Sequence, residues 1–193
     1  MVQGGRRFSQ AISEGDGISL VVVVQAPEEA RRAEGDGAEA LLVYSGLEGQ
    51  LVAIQAATTL PILFHWDGEH AEALDGADAC IVEAGSREWL EHVHLALGDR
   101  FELAFRIRDE DHLEAALEQF DPELFVLAGL NEDDPLEHVL ELLPDIPAGK
   151  LAIAELGATT RDEVVSLERA GIDAVLVTGG DVAHLVGDSV PRV

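Results

Sequence analysis

Eight short, nearly continuous apolar runs punctuate the chain, each followed by a stretch that reads as helix or turn, and this alternation restricts the fold more than any other feature. The runs are Ser19 to Val24, Ala40 to Tyr44, Pro61 to His65, Ala79 to Glu83, Glu102 to Ile107, Leu124 to Ala128, Leu151 to Glu155 and Ala174 to Val177. They are dominated by Val, Leu, Ile and Ala without alternating charges, as expected of strands covered on both faces in a parallel sheet. Between them Leu113, Ala116, Leu117 and Phe120 recur at helical spacing, as do Leu136, Val139, Leu140 and Leu143, giving stripes that lie against a sheet. Three exits repeat one pattern: Gly37-Ala38-Glu39-Ala40, Gly76-Ala77-Asp78-Ala79 and Gly171-Ile172-Asp173-Ala174. In each, a glycine can end a helix in the left-handed conformation and a strand follows at once.

One βα unit used eight times predicts an α/β fold of the (β/α)8, or TIM-barrel, type, with an open doubly wound sheet as the rival arrangement of the same pattern. The barrel must be short. From Ile18 to Val186 each unit has about 21 residues, against ~250 residues for a typical whole barrel. Helices such as Gly68 to Leu74 and Asp181 to Val186 are therefore expected to span barely two turns, with minimal loops. Residues 1–17 read as a lead-in without an N-terminal helical extension, and residues 18–193 as one barrel domain.

An apolar content of 47% and a mean hydropathy of +0.12 exclude a disordered chain. Eleven arginines and a single lysine, Lys150, face 38 carboxylates, for a net charge of -26. Such a field repels nucleic-acid phosphates and anionic lipid, so neither is an expected partner; it reads as a solvated surface suited to solubility or to a salty interior. The lone Cys80, inside the run Ala79-Cys80-Ile81-Val82, has no intrachain partner and reads as a small buried thiol in a reducing compartment. The N-terminus lacks an apolar signal core and no apolar run approaches ~18 residues, so the expected place is the cytoplasm, as a monomer or homodimer.

The cluster His65-Trp66-Asp67-Gly68-Glu69-His70 has metal-ligand types at short range, but no other ligand set converges on it. Asp67 reads as the N-cap of a helix beginning near Gly68, and neither a metal nor another cofactor is expected. Trp66 either stacks on a ligand at the barrel mouth or lids the core; His92 and His94 read as surface or interhelical residues.

The chain also resembles a known family, indole-3-glycerol-phosphate synthase, from its first strand to its eighth. The matching segments are Phe8-Ser9-Gln10-Ala11-Ile12-Ser13-Glu14-Gly15 with Ile18-Ser19-Leu20, then Leu60-Pro61-Ile62-Leu63, Gly76-Ala77-Asp78-Ala79 and Asp109 to Leu117. Glu155-Leu156-Gly157 with Thr160-Arg161-Asp162-Glu163-Val164, and Ala170-Gly171-Ile172-Asp173-Ala174-Val175-Leu176-Val177, complete the series. The resemblance implies a carboxy-lyase of tryptophan biosynthesis that closes an indole ring on a phosphorylated anthranilate derivative. That chemistry needs cations to protonate a carbonyl and anchor a carboxylate, with a carboxylate base, all at the C-terminal mouth.

The resemblance fails at the residues that implication needs. Val23-Val24-Gln25 stands for the family's Glu-Ile-Lys, Phe64-His65-Trp66 for its Arg-Lys-Asp, and Arg106 for a functional Glu. Ala128 and Gly129 stand where the family carries asparagine; Glu155 alone keeps the residue type. Lys150 directly precedes the seventh strand and belongs to the opposite rim. The remaining catalytic candidates are His65 as acid, Arg106 as anion anchor and Glu155 as base; alternatively Arg106 is neutralised by Glu155 and Glu83 in a polar layer that needs no substrate. For a phosphorylated small-molecule ligand, Gly157, Gly179 and Gly180 allow close backbone approach, or they serve only the turn and helix cap. Thr178-Gly179-Gly180 replaces the family's Gly-Glu-Ser, Asp181 adds negative charge, and Gln25-Ala26-Pro27 lacks its Ser-Pro-Ser. The expectation is a family-like barrel without ring-closing activity, acting as a binding or structural homologue, with a lyase on His65, Arg106 and Glu155 as the alternative.

Overall fold

The computed structural model describes residues 6–15, 17–129, 133–157, 159–178 and 182–185. The apolar runs form eight parallel strands: β1 Ser19–Val23, β2 Ala40–Tyr44, β3 Ile62–His65, β4 Ala79–Glu83, β5 Glu102–Ile107, β6 Leu124–Ala128, β7 Leu151–Glu155 and β8 Ala174–Val177. They close in sequence order, β8 pairing with β1 through Ser19 to Val22 against Ala174 to Val177, which excludes the open sheet. Pro61 has no N–H to give and stands just outside β3, its carbonyl accepting from Leu41 N.

The helices are α1 Arg7–Ser13, α2 Pro27–Gly35, α3 Leu51–Gln55, α4 Arg87–Leu97, α5 Glu110–Gln119, α6 Pro135–Leu142, α7 Arg161–Ala170 and α8 Val182–Leu185. Helix α3 is led by a 3-10 turn over Glu48–Gln50, and α8 is a single turn inside the span expected for it. In α5 the predicted stripe is truncated: Leu113 and Ala116 are buried, whereas Leu117 is exposed.

Between β3 and β4 the expected α-helix over Gly68 to Leu74 is absent, and only a 3-10 turn, Ala71–Ala73, is present. The helical path is broken by Gly68 and His70, both with positive φ (102° and 56°), while Asp67 accepts from Glu69 N to close a local turn instead of capping a helix. An aromatic clamp replaces the missing helix. Trp66 stacks on Trp89 at 5.7 Å and on His92 at 5.6 Å. Trp66 Nε1 donates to Glu69 O, Trp89 Nε1 donates to Glu83 O, and His92 Nε2 pairs with Gly68 O at 3.1 Å. Trp66 is thus a lid over the outer core and not a mouth residue. His94 lies edge-on to Phe120.

Two apolar cores result. Val21, Leu42, Leu63, Ile81, Val126 and Ile153 fill the barrel interior, while the outward-facing strand residues pack beneath the helices. Helix α1, within the lead-in, seals the interior from below: Phe8 and Ile12 are buried among the interior side chains. Its first turn is held by Glu102 at the base of β5, whose carboxylate accepts from Phe8 N (2.7 Å) and Ser9 N (3.2 Å).

The repeated exits have a shared task. Gly37, Gly76 and Gly171 all take positive φ (96°, 108° and 94°), and in two of them the following aspartate reaches the neighbouring strand. Asp78 accepts from Ile62 N at 2.8 Å and Asp173 from Ala152 N at 2.7 Å. At the same lower end Lys150 Nζ donates to Asp121 at 2.6 Å. Cys80 lies in the outer core, where burial pushes its thiol up to about 12, so it stays protonated and inert.

Candidate functional site

The C-terminal strand ends form the mouth, and the strand register fixes which side chains face it. On β1, β3, β5 and β7 the uppermost inward positions are Val23, His65, Arg106 and Glu155; on β2, β4 and β6 they are Tyr44, Glu83 and Ala128. The three catalytic candidates named from the sequence therefore come from alternate strands and share one layer.

Arg106 dominates that layer electrostatically. Its Nε donates to Glu155 Oε2 at 2.7 Å, its Nη2 lies 2.7 Å from the same oxygen, and its Nη1 donates to Glu83 Oε1 at 2.9 Å. Arg108, just past β5, adds a bond from Nη2 to Glu83 Oε2 at 3.2 Å. Arg106 and Glu155 are each only 6% exposed, a depth at which charges persist only when paired. Burial works against the Arg106 charge, but Glu155 and Glu83 more than offset it and hold the guanidinium above its ordinary value. Two guanidiniums and two carboxylates thus form a charge-balanced group, in which Arg106 is buried and Arg108, making one contact, stays largely exposed.

The other half of the layer is less committed. His65 Nε2 is 4.0 Å from Glu83 Oε1, beyond hydrogen-bond range, and its ring lies 5.5 Å from that of Tyr44, tilted by 42°. The Tyr44 hydroxyl has no hydrogen-bond partner among the described residues, and Tyr44 and His65 are both half-buried. Burial pushes the His65 imidazole below its ordinary value; Glu83 pulls it upward and Arg106 downward. Burial, with the Glu155 carboxylate, pushes the Tyr44 phenol up, so it keeps its proton at neutral pH.

Sequence reasoning named His65, Arg106, Glu155 and the Glu83 counter-charge but missed Tyr44 and Arg108. Tyr44 ends an apolar run and so reads as core, yet counting inward positions from the strand end places it beside His65. Arg108 shares parity with Arg106, a signal available from spacing alone.

Of the phosphate candidates, Gly157 follows β7 with φ 86°, and its carbonyl accepts from Thr178 Oγ1, tying the loops after β7 and β8 together. Gly179 and Gly180 lie outside the described residues. Two nearby backbone donors are already used by the chain's own carboxylates. Glu29 Oε2 accepts from Gln25 N at 2.7 Å after β1, and Glu163 Oε2 accepts from Thr160 N at 2.6 Å after β7, where Thr160 and Glu163 form a capping box. Among the described residues no group of three or more His, Cys, Asp or Glu is placed to hold a metal, and no helix is long and apolar enough to cross a membrane.

No protein-family model matches the chain. By sequence it is similar to the indole-3-glycerol phosphate synthase of Geobacillus sp. strain WCH70, 30% identical over 168 residues, covering 77% of this chain and 64% of that protein. It is also similar to the protein of the same name from Acidithiobacillus ferrooxidans, 32% identical over 153 residues, covering 69% of this chain and 55% of that protein. The chain therefore spans less than two thirds of the length of these relatives. Among solved structures, the N-acetylmannosamine-6-phosphate 2-epimerase of Clostridium perfringens superposes with a TM-score of 0.67 at 16% identity, covering 86% of this chain and 88% of that one; the likeness is one of fold.

Proposed function

Because the chain is a short, divergent homologue of the indole-3-glycerol phosphate synthases, we propose that it keeps their barrel and a binding mouth but not their ring-closing decarboxylation. The observation that carries this reading is the state of Arg106, whose guanidinium is held between Glu155 and Glu83. Ring closure of the kind the family resemblance implies requires a proton donor at the carbonyl, a cation for the carboxylate and a free base. Arginine does not release its proton, and Glu155 is already an acceptor for Arg106. The sole lysine is bonded to Asp121 at the opposite end of the barrel. Binding energy elsewhere does not replace acid and base groups absent from the reacting centre.

The competing reading is an active lyase with His65 as acid, Arg106 as anchor, Glu155 as base and phosphate held by Gly157, Gly179 and Gly180. Its support is that the three side chains share one layer of the mouth. The two readings part in a direct assay: purified protein is incubated with the phosphorylated anthranilate derivative and the fluorescence of the indole product is followed. No turnover above buffer is expected. Turnover that Glu155→Gln abolishes would establish the lyase instead. Residence in the cytoplasm belongs to the same proposal, supported by the single, buried, unreactive thiol.

A further inference from the structure

We infer that the lower rim of the barrel, at the end opposite the mouth, holds a ligand site that takes a small organic ammonium ion with an apolar body. The inference stands apart from the reading of the mouth, since none of the catalytic or phosphate candidates lines this site.

The site is a cavity of about 470 Å³ between the ends of α4 and α5 and the starts of β5 and β6, a size usual for small-molecule pockets. Three aromatic rings form its apolar part. Phe105 is fully buried, and Phe120 packs on it with ring centroids 4.8 Å apart. Phe101 and Phe120 are only half-buried, so both keep ring surface free at the cavity wall. Arg100 already lies over one face of Phe101, 4.9 Å from its centroid, which gives a cation on these rings a precedent within the chain.

The polar part is negative. Asp99, Glu102, Asp121 and Glu123 line the cavity, against Arg6 and His94 as the basic side chains among the described lining residues. Arg6 is bonded to Glu123 at 2.7 Å and Lys150 to Asp121 at 2.6 Å, while Glu102 accepts from the Phe8 and Ser9 N–H groups. Asp99 is different. It is exposed on the 3-10 turn Gly98–Arg100 and has no side-chain hydrogen bond or ion pair among the described residues. The helix ends add charge of the same sign. Gly98 follows α4 and Phe120 follows α5, so two helix C-termini border the cavity, with their partial negative charge and carbonyls that lack intrahelical partners. An ammonium group finds a free carboxylate, carbonyls and aromatic faces together here, and its apolar body displaces water from Phe101, Leu103 and Phe120.

Benzylamine, benzyl alcohol and benzoate share one ring and differ in charge, and calorimetry of the full chain at pH 8 with each of them tests the inference. Backbone amide shifts in NMR locate the bound molecule. Benzylamine is expected to bind about fivefold more tightly than benzyl alcohol, and more tightly still than benzoate, and to shift the amides of Gly98, Asp99 and Phe120. Asp99→Asn and Phe120→Leu are each expected to weaken benzylamine about three- to fivefold while retaining the wild-type circular dichroism spectrum. Should Phe120→Leu lose the fold, Asp99→Asn, at an exposed position, decides. The inference is overturned if benzylamine binds no more tightly than benzyl alcohol or benzoate, if its shifts fall elsewhere on the barrel, or if Asp99→Asn leaves its affinity unchanged, as attraction to the net charge of -26 alone would. None of these results bears on ring closure, which is decided by turnover at the mouth.

Discussion

Arg106 is the residue whose removal the barrel should tolerate least, since Glu155 would then be a buried, uncompensated carboxylate. Arg106→Met is expected to lower the unfolding free energy by about 3–5 kcal/mol, and Arg106→Met with Glu155→Met to recover most of it, because a volume-matched apolar pair removes the orphaned charge along with its partner. Urea denaturation of the two variants checks this; failure of the double variant to recover would mean that Glu83, left with Arg108 alone, carries the cost. His65 predicts a pH effect. Its folded value lies below the ordinary 6.5, so the unfolded chain binds the proton more readily. The stability it contributes is present above about pH 6.5 and is lost as pH falls through that value toward the folded one. His65→Gln should flatten this part of the stability profile, measured by denaturation at pH 5 to 8. Legibility at this scale followed chain position: inward parity from the strand ends picks out His65, Arg106, Glu155 and Glu83, and Tyr44 shares that parity but closes an apolar run and so reads as core.

The strands were readable because each is a dense apolar run bounded by turn residues, and burial on both faces leaves little freedom in where it starts and stops. The elements that escaped depend on contacts distant in sequence. Helix α1 has only two buried large apolar side chains, Phe8 and Ile12, and draws its stability from the barrel floor and from Glu102, 94 residues away from Phe8. Phe8→Ala is accordingly expected to cost about 3–5 kcal/mol, read from thermal or urea unfolding, far more than a frayed lead-in would. A loss below about 1 kcal/mol would show that α1 is not the floor of the barrel. The β3 to β4 crossover failed to become a helix for the complementary reason: the left-handed backbone at Gly68 and His70 and the stacking of Trp66 on Trp89 and His92 are settled in three dimensions, and no periodicity announces them.

For the molecule as a whole, charge is the feature with the widest reach. Residues 109–149, which include α5 and α6, hold 13 carboxylates and no lysine or arginine, so one sector of the barrel's exterior repels itself most strongly. Screening should relieve this: Tm is expected to rise between 10 mM and 1 M sodium chloride, each kcal/mol recovered adding about 2–4 °C. A falling Tm over that range would show that the paired charges of the mouth outweigh the unpaired ones outside it. The aromatic clamp beside β3 and β4 has a different sort of consequence. Both tryptophans of the chain reside in it, stacked on each other at the one crossover that lacks a helix. Intrinsic emission is therefore a local gauge, reporting on one stave of the ring, while ellipticity averages over all of them. An emission midpoint lying below the ellipticity midpoint would identify that stave as the seam along which the cylinder first comes apart.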